Sequence, residues 1–171
     1  MTNSEGRVKG ALGANGALED PLDLFAILLW DELEGVPPEQ VIGSSIKAEY
    51  ELRDGKPVIV KIPELDFIDD KAGKPVGINK HIGRRPILAF GNSDGDKEML
   101  EYGTIANPRT SLGVIVRHTD AEREYQYDVN PKSSGTLVEA LKDAPSRGWV
   151  VVSMKDDWKQ VFPFEASPVT A

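Results

Sequence analysis

Apolar and polar positions along the chain change period several times, and each change predicts an element. Residues 1–20 are rich in Gly, Ala and Asn and hold no period, the pattern of a flexible N-terminal tail. Asp20-Pro21 then pairs an N-cap residue with a proline suited to the first helical position. Leu22, Phe25, Leu28, Leu29 and Leu33 follow at helical spacing, and Gly35 fits a C-cap. The stripe reads as core packing ahead of a partner-binding face. Next, IKAEYEL alternates and sets Ile46, Ala48, Tyr50 and Leu52 on one face. Asp54-Gly55 is a hairpin turn, and Val58, Val60 and Ile62 share one side of the returning strand. The stretch ELDFIDDKAGK reads as a loop, and a short helix is expected from about Pro75 to Gly83.

The second half alternates between strand and helix patterns. Ile87 to Phe90 is a short unbroken apolar run, typical of a parallel strand buried on both faces. It opens into Gly91-Asn92-Ser93-Asp94-Gly95-Asp96, and a helix with Met99 and Leu100 inward is expected to follow. LGVIVR, from Leu112 to Arg117, reads as another buried strand, TLVEALKDA as a helix, and Trp149 to Ser153 as a further strand. Beyond Phe162, Pro163 and Pro168 favour irregular chain, with residues 166–171 as a C-terminal tail. Strands alternating with helices predict an α/β fold: a parallel sheet with flanking helices and an inserted β-hairpin, forming one domain over residues 21–165.

Composition narrows the function classes. The 171 residues carry a formal charge of −8, which disfavours nucleic acid and anionic membrane as partners. A small phosphorylated substrate needs only a local positive site and stays compatible. With no cysteine, disulfides, thiolate nucleophiles and Cys-ligated metals are excluded. The two histidines, His81 and His118, are too scattered for a His-rich metal site. The most apolar run, LDLFAILLW, has acidic neighbours in Asp20 and Asp31 and is shorter than the ~20 residues a membrane helix needs. The chain as given is therefore expected in the cytoplasm.

The loop after Phe90 carries the candidate chemistry. Ligands of open parallel sheets sit outside the carboxyl ends of the strands. Asn92, Asp94 and Asp96 offer hard oxygen ligands suited to Mg²⁺, while the same residue types also form acidic turns that cap a following helix. His118-Thr119-Asp120, with Glu122 and Arg123 nearby, has a His–Asp pair that could orient a base. The simpler reading is a charged helix start with Thr119 as N-cap. Trp149 and Trp158 read as core or core-edge residues.

GNSDGDKEML after an apolar strand resembles the fourth signature of the haloacid dehalogenase superfamily. GVPPEQVIGSS, the stretch DFIDDKAGKPVGINKHIGRRPILAFGNSDGDKEML, HTDAEREYQYD and GWVVVSMKDDWKQVF resemble phosphoserine-phosphatase-like members in the same order, over about residues 35–165. The resemblance implies a partial Rossmannoid sheet and a Mg²⁺-dependent phosphohydrolase acting on a small phosphorylated substrate. It places Asp96 and Asn92 at the metal, with Asn92 able to ligate only through its neutral amide oxygen where many members have an aspartate. Ser93 and Asp94 are secondary candidates there. It also makes Lys74, at a helix start, the lysine that neutralises phosphate, with Lys71 as its close competitor.

Two family elements have no counterpart. Members use an apolar strand followed by Asp-x-Asp-x-Thr or Val as nucleophile and acid. The only Asp-x-Asp here is Asp94-Gly95-Asp96, followed by Lys97. The family's Ser-Gly-Gly phosphate motif is also missing, where the chain reads GANGALEDPLDL. Two functions remain: a phosphatase needing a nucleophile from a longer chain or a second polypeptide, or a truncated or degenerate relative that folds and binds Mg²⁺ or phosphate without turnover. The missing strand further implies an exposed sheet edge or face, met by a homo-oligomer or a complementing chain. With a longer N-terminus the resemblance would allow a periplasmic location. A third idea is an interaction module built on the Pro21–Glu34 helix.

Overall fold

A computed structural model describes residues 38–126 and 135–162. The expected tails at both ends and the Pro21–Glu34 helix lie outside these residues. Main-chain contacts divide the chain into two units, Met1–Asp69 and Asp70–Ala171. The boundary falls inside the stretch read from sequence as one domain.

The first unit contains a 3-10 turn, Pro38–Gln40, and an antiparallel hairpin of β1 (Ser45–Arg53) and β2 (Lys56–Phe67). Asp54 and Gly55 both take positive φ, 52° and 76°, as a two-residue hairpin turn requires. β2 runs through ELDF, which the sequence reading assigned to a loop. The strand survives Pro63 because the register shifts there: Ala48 pairs with Lys61 and Ile46 with Leu65. A bulge leaves ladder positions unpaired, so the missing proline N–H costs nothing. Cross-strand pairing also separates the apolar rows. Tyr50 lies opposite Ile59, whereas Val58 and Val60 lie opposite Glu51 and Glu49. Tyr50, Leu52 and Ile59 therefore share one face and are exposed, while Val58 and Val60 are half-buried on the other.

The second unit alternates strand and helix around one parallel sheet. Its elements are α1 (Gly73–Ile82), β3 (Leu88–Gly91), α2 (Lys97–Thr104), β4 (Leu112–Arg117), α3 (Glu139–Arg147) and β5 (Val150–Ser153). The sheet order is β3-β4-β5, all parallel, with β3 at one edge. A strand period of two sends Ala89 and Ile115 to the same face. There they join Leu100 of α2, Ala140 and Ala144 of α3, Leu137 and Trp149 in one buried cluster. Trp149 also donates from Nε1 to Thr104 Oγ1 at 2.9 Å, tying the start of β5 to the end of α2. Gly113 makes room for the indole, since a Cβ there would lie 2.6 Å from Trp149 Cδ1.

The alternate residues Leu88, Phe90, Leu112 and Val150 are exposed by 43–55%. This corrects the expectation for β3, which is buried on one face only; in the central strand β4 it holds, since Val114, on the same face as Phe90, is 5% exposed and Ile115, on the other, is fully buried. Trp158, expected at the core or its edge, is 44% exposed. Arg85 closes the C-terminal end of α2 by donating to the carbonyls of Tyr102, Ile105 and Ala106. No helix among the described residues is long and apolar enough to cross a membrane.

Candidate functional site

The loop Gly91–Asp96 leaves the carboxyl end of β3 and folds back on itself. Gly91 permits this: a Cβ there would stand 2.4 Å from Asp96 Cβ. Ser93 is extended, and its hydroxyl accepts from Gly95 N at 3.2 Å. Asp96 Oδ2 answers by accepting from Asn92 N at 2.9 Å, Ser93 N at 3.1 Å and Ser93 Oγ at 3.3 Å. Together these form a capping box that starts the Asp94–Asp96 turn and α2. Asp94 caps a different helix. Its carboxylate accepts from Val138 N and Ala140 N at the start of α3, the last at 2.9 Å. Ser93 and Asp94, secondary metal candidates in the sequence, thus hold main-chain amides.

Asp96 is 5% exposed, and Lys74 Nζ reaches its Oδ1 at 2.8 Å. The approach to α1 sets this up. Lys71 sits at φ 49° and donates its main-chain N–H to Gly95 O at 3.1 Å. Gly73 N and Lys74 N then donate back to Asp70 O and Lys71 O, curling the chain into the helix. The lysine one turn further on, Lys74, thereby points its ammonium at Asp96, while Lys71 meets the loop through its backbone. A charge-assisted contact of this length on a buried carboxylate is among the stronger polar contacts available to a protein.

Asp96 and Asn92 help line a cavity of about 280 Å³ with Phe90, Gly91, Val116 and His118. Of the candidate Mg²⁺ ligands, Asp96 already has both oxygens engaged, and Asn92 offers a neutral amide. No group of three His, Cys, Asp or Glu side chains gathers as a cation site among the described residues. Mg²⁺ demands near-octahedral oxygen coordination with one or two carboxylates available to it. These residues do not fit that demand by themselves, because a cation at Asp96 would have to displace Lys74.

The segment after β4 differs from its sequence reading. His118 Nδ1 lies 2.5 Å from Glu124 Oε2, so its carboxylate partner is Glu124 and not Asp120. Asp120 turns the other way. Its Oδ1 accepts from Glu122 N and Arg123 N at 3.1 Å, and its Oδ2 from Arg123 Nε. Asp120, not Thr119, is the capping residue, and what it caps is a turn over residues 121–123, not a helix. Thr119 Oγ1 instead bonds Ser153 Oγ at 2.9 Å. Sequence reasoning missed Glu124 because six residues in irregular chain imply no fixed spatial relation.

Arg123 extends from Asp120 to the carbonyls of Met154, Lys155, Trp158 and Lys159, clamping the chain that follows β5. The Arg123 hydrogen bond holds the Asp120 carboxyl below its ordinary range, partly opposed by burial. A lowered folded-state value contributes stability that is complete above the unfolded carboxylate range of about 4 and lost as pH falls through the folded value. The melting temperature of Asp120→Asn should therefore lie below wild type at pH 7. The gap should close as pH drops below about 4. A gap that stays constant from pH 7 to pH 2 in a calorimetric series would contradict this clamp.

No family model matches the chain, and no curated protein matches it.

Proposed function

We propose that this chain carries the lysine–aspartate half of a phosphoryl-transfer centre of the haloacid dehalogenase type. By itself it binds small phosphate monoesters and does not hydrolyse them. The observation that carries this reading is the Lys74–Asp96 contact of 2.8 Å at the carboxyl end of a parallel strand. Phosphoryl transfer relies on positioning and charge stabilisation, for which a fixed ammonium beside a buried carboxylate is suitable equipment. The resemblance of GNSDGDKEML and of the stretch containing Lys74 to that superfamily supports the same assignment.

Turnover further requires a nucleophile. The only Asp-x-Asp in the chain is Asp94-Gly95-Asp96, and Asp94 is committed to the amides of α3 while Asp96 is committed to Lys74. A second copy would bring no other such motif. A complementing polypeptide carrying a strand and a carboxylate is the partner that would complete the site, and the edge strand β3 is where such a strand would add. That added carboxylate would also supply the oxygen ligand that a Mg²⁺ ion lacks here.

The purified chain should release no nitrophenol from p-nitrophenyl phosphate above the buffer rate, with or without millimolar Mg²⁺. Its melting temperature should be unchanged by Mg²⁺ and raised by inorganic phosphate, and Lys74→Met should abolish the rise. Hydrolysis that disappears in Asp96→Ala would show that the chain is a complete enzyme. A phosphate response unaffected by Lys74→Met would remove the basis of the assignment.

A further inference from the structure

A second cavity, of about 330 Å³, lies where α1 ends and β3 begins, at the other end of β3 from the acidic loop. Its chain is fixed by the residues around it. Gly83 ends α1 at φ 72° and donates its N–H to Ile78 O and Asn79 O. The carbonyls that follow are each met from the segment ahead of β4. Arg85 O accepts from Arg109 Nη2, Pro86 O from Asn107 Nδ2 at 2.9 Å, and Ile87 O from Leu112 N at 2.8 Å. This stretch is therefore held in place before any ligand arrives.

The lining combines two chemistries. Ile78, Ile82 and Ile87 make an apolar wall, and Arg84, Arg85 and Arg109 add three guanidinium groups. No Asp or Glu among the described residues lines it. The three arginines differ in what already occupies them. Arg85 donates to three carbonyls at the end of α2 and lies over the Tyr102 ring, so it serves the fold. Arg109 spends its side chain on Arg85 O alone, and Arg84 makes no hydrogen bond or ion pair among the described residues. Elsewhere arginines find acids: Arg53 pairs with Glu51, Arg123 with Asp120 and Arg147 with Glu101. In a chain of net charge −8, a cavity with three arginines and no carboxylate is a local reversal of sign. The guanidinium fork matches the paired oxygens of carboxylate and phosphate. The volume is at the small end of ligand cavities.

We propose that this cavity binds a small organic anion. Arg84 and Arg109 hold its carboxylate or phosphate group, and a short aliphatic body lies along Ile78, Ile82 and Ile87. The site is separate from the Lys74–Asp96 centre and stands independently of the phosphate-binding reading.

Pentanoate and butyl phosphate carry the two headgroups on similar aliphatic bodies. Each is titrated into the ¹⁵N-labelled chain at fixed pH and ionic strength. At least one should give saturable shifts of the Gly83, Arg84, Ile87 and Arg109 amides, and the one that does so names the headgroup. The same shifts should persist in Lys74→Met. Acetate or inorganic phosphate, lacking the body, should bind several-fold more weakly at these amides, because less apolar surface is buried. Arg84→Gln breaks no contact of the fold and should weaken binding about tenfold, the weight of one hydrogen bond to a charged group. Arg84→Lys keeps the charge without the fork and should restore affinity only in part. Absence of saturable shifts at these amides with both probes would overturn the inference, as would shifts confined to Asn92–Asp96. Equal affinity for acetate and pentanoate, or an Arg84→Gln chain that binds like wild type, would also overturn it. None of these results touches the Lys74-dependent response to phosphate, which is read separately.

Discussion

Gly91→Ala should destabilise the chain by about 3 kcal/mol, the upper end of ordinary overpacking, and lower the melting temperature by roughly 10 °C or more. The new methyl carbon would stand 2.4 Å from Asp96 Cβ and 3.0 Å from Asp96 Cγ. Neither partner can retreat. Asp96 is held at Oδ2 by two amides and a hydroxyl, and at Oδ1 by Lys74. Gly91 is the last residue of β3, in register with Ile115 of the central strand. Relief comes only by opening the loop, which also separates Asp96 from Lys74, so the phosphate-dependent rise in melting temperature should vanish. Gly43→Ala is the control, since a Cβ there meets nothing within 4 Å, and it should change stability by less than about 0.5 kcal/mol. Calorimetry of both variants with and without phosphate decides the matter. A Gly91→Ala protein that melts with wild type would mean that the loop is not closed in this way.

Leu100→Ala should cost about 2–5 kcal/mol by loss of transfer energy plus the cavity left behind. Leu100 is fully buried on α2, in the cluster formed by Ala89, Ile115 and Trp149. Urea unfolding should show a lower midpoint at unchanged slope. Phe90→Ala supplies the contrast. A phenylalanine in an unbroken apolar run looks like the better core residue, yet its side is 55% exposed, and its loss should cost less than about 1 kcal/mol. Equal costs for the two variants would show that the face carrying Leu88, Phe90 and Leu112 is covered in solution. A cost below about 1 kcal/mol for Leu100→Ala would be incompatible with the packing described.

These two residues also mark what the sequence could tell. Leu100 was legible because its helix follows a capping loop and presents one apolar stripe. The order of the five strands and three α-helices was legible for the same reason: strand and helix periods differ, and Asp54-Gly55, Gly83 and Gly148 punctuate them at positive φ. Phe90 was not, since periodicity cannot say whether a helix covers one side of a sheet or both. The extension of β2 past Pro63 was hidden because a proline argues against a strand unless the bulge opposite it is known. At the site, Lys74 and Asp96 were named from the motif, but their contact depends on Lys71 entering the left-handed region and anchoring to Gly95. The Glu124 partner of His118 and the clamp made by Arg123 arise from chain that has no period, so nothing in the spacing announced them.

Asp94 joins two places that lie 44 residues apart, receiving the amide of Val138 on the carboxylate of the acidic loop. Neither end can fray independently. When the first turn of α3 opens, Asp94 loses its partners, and the Ser93–Asp96 turn that shares its backbone is released with it. Slow-exchanging amides of Asn92, Ser93, Val138 and Ala140 should thus belong to a single cooperative opening event. A site assembled early in the second unit therefore inherits its persistence from a helix near the other end of that unit.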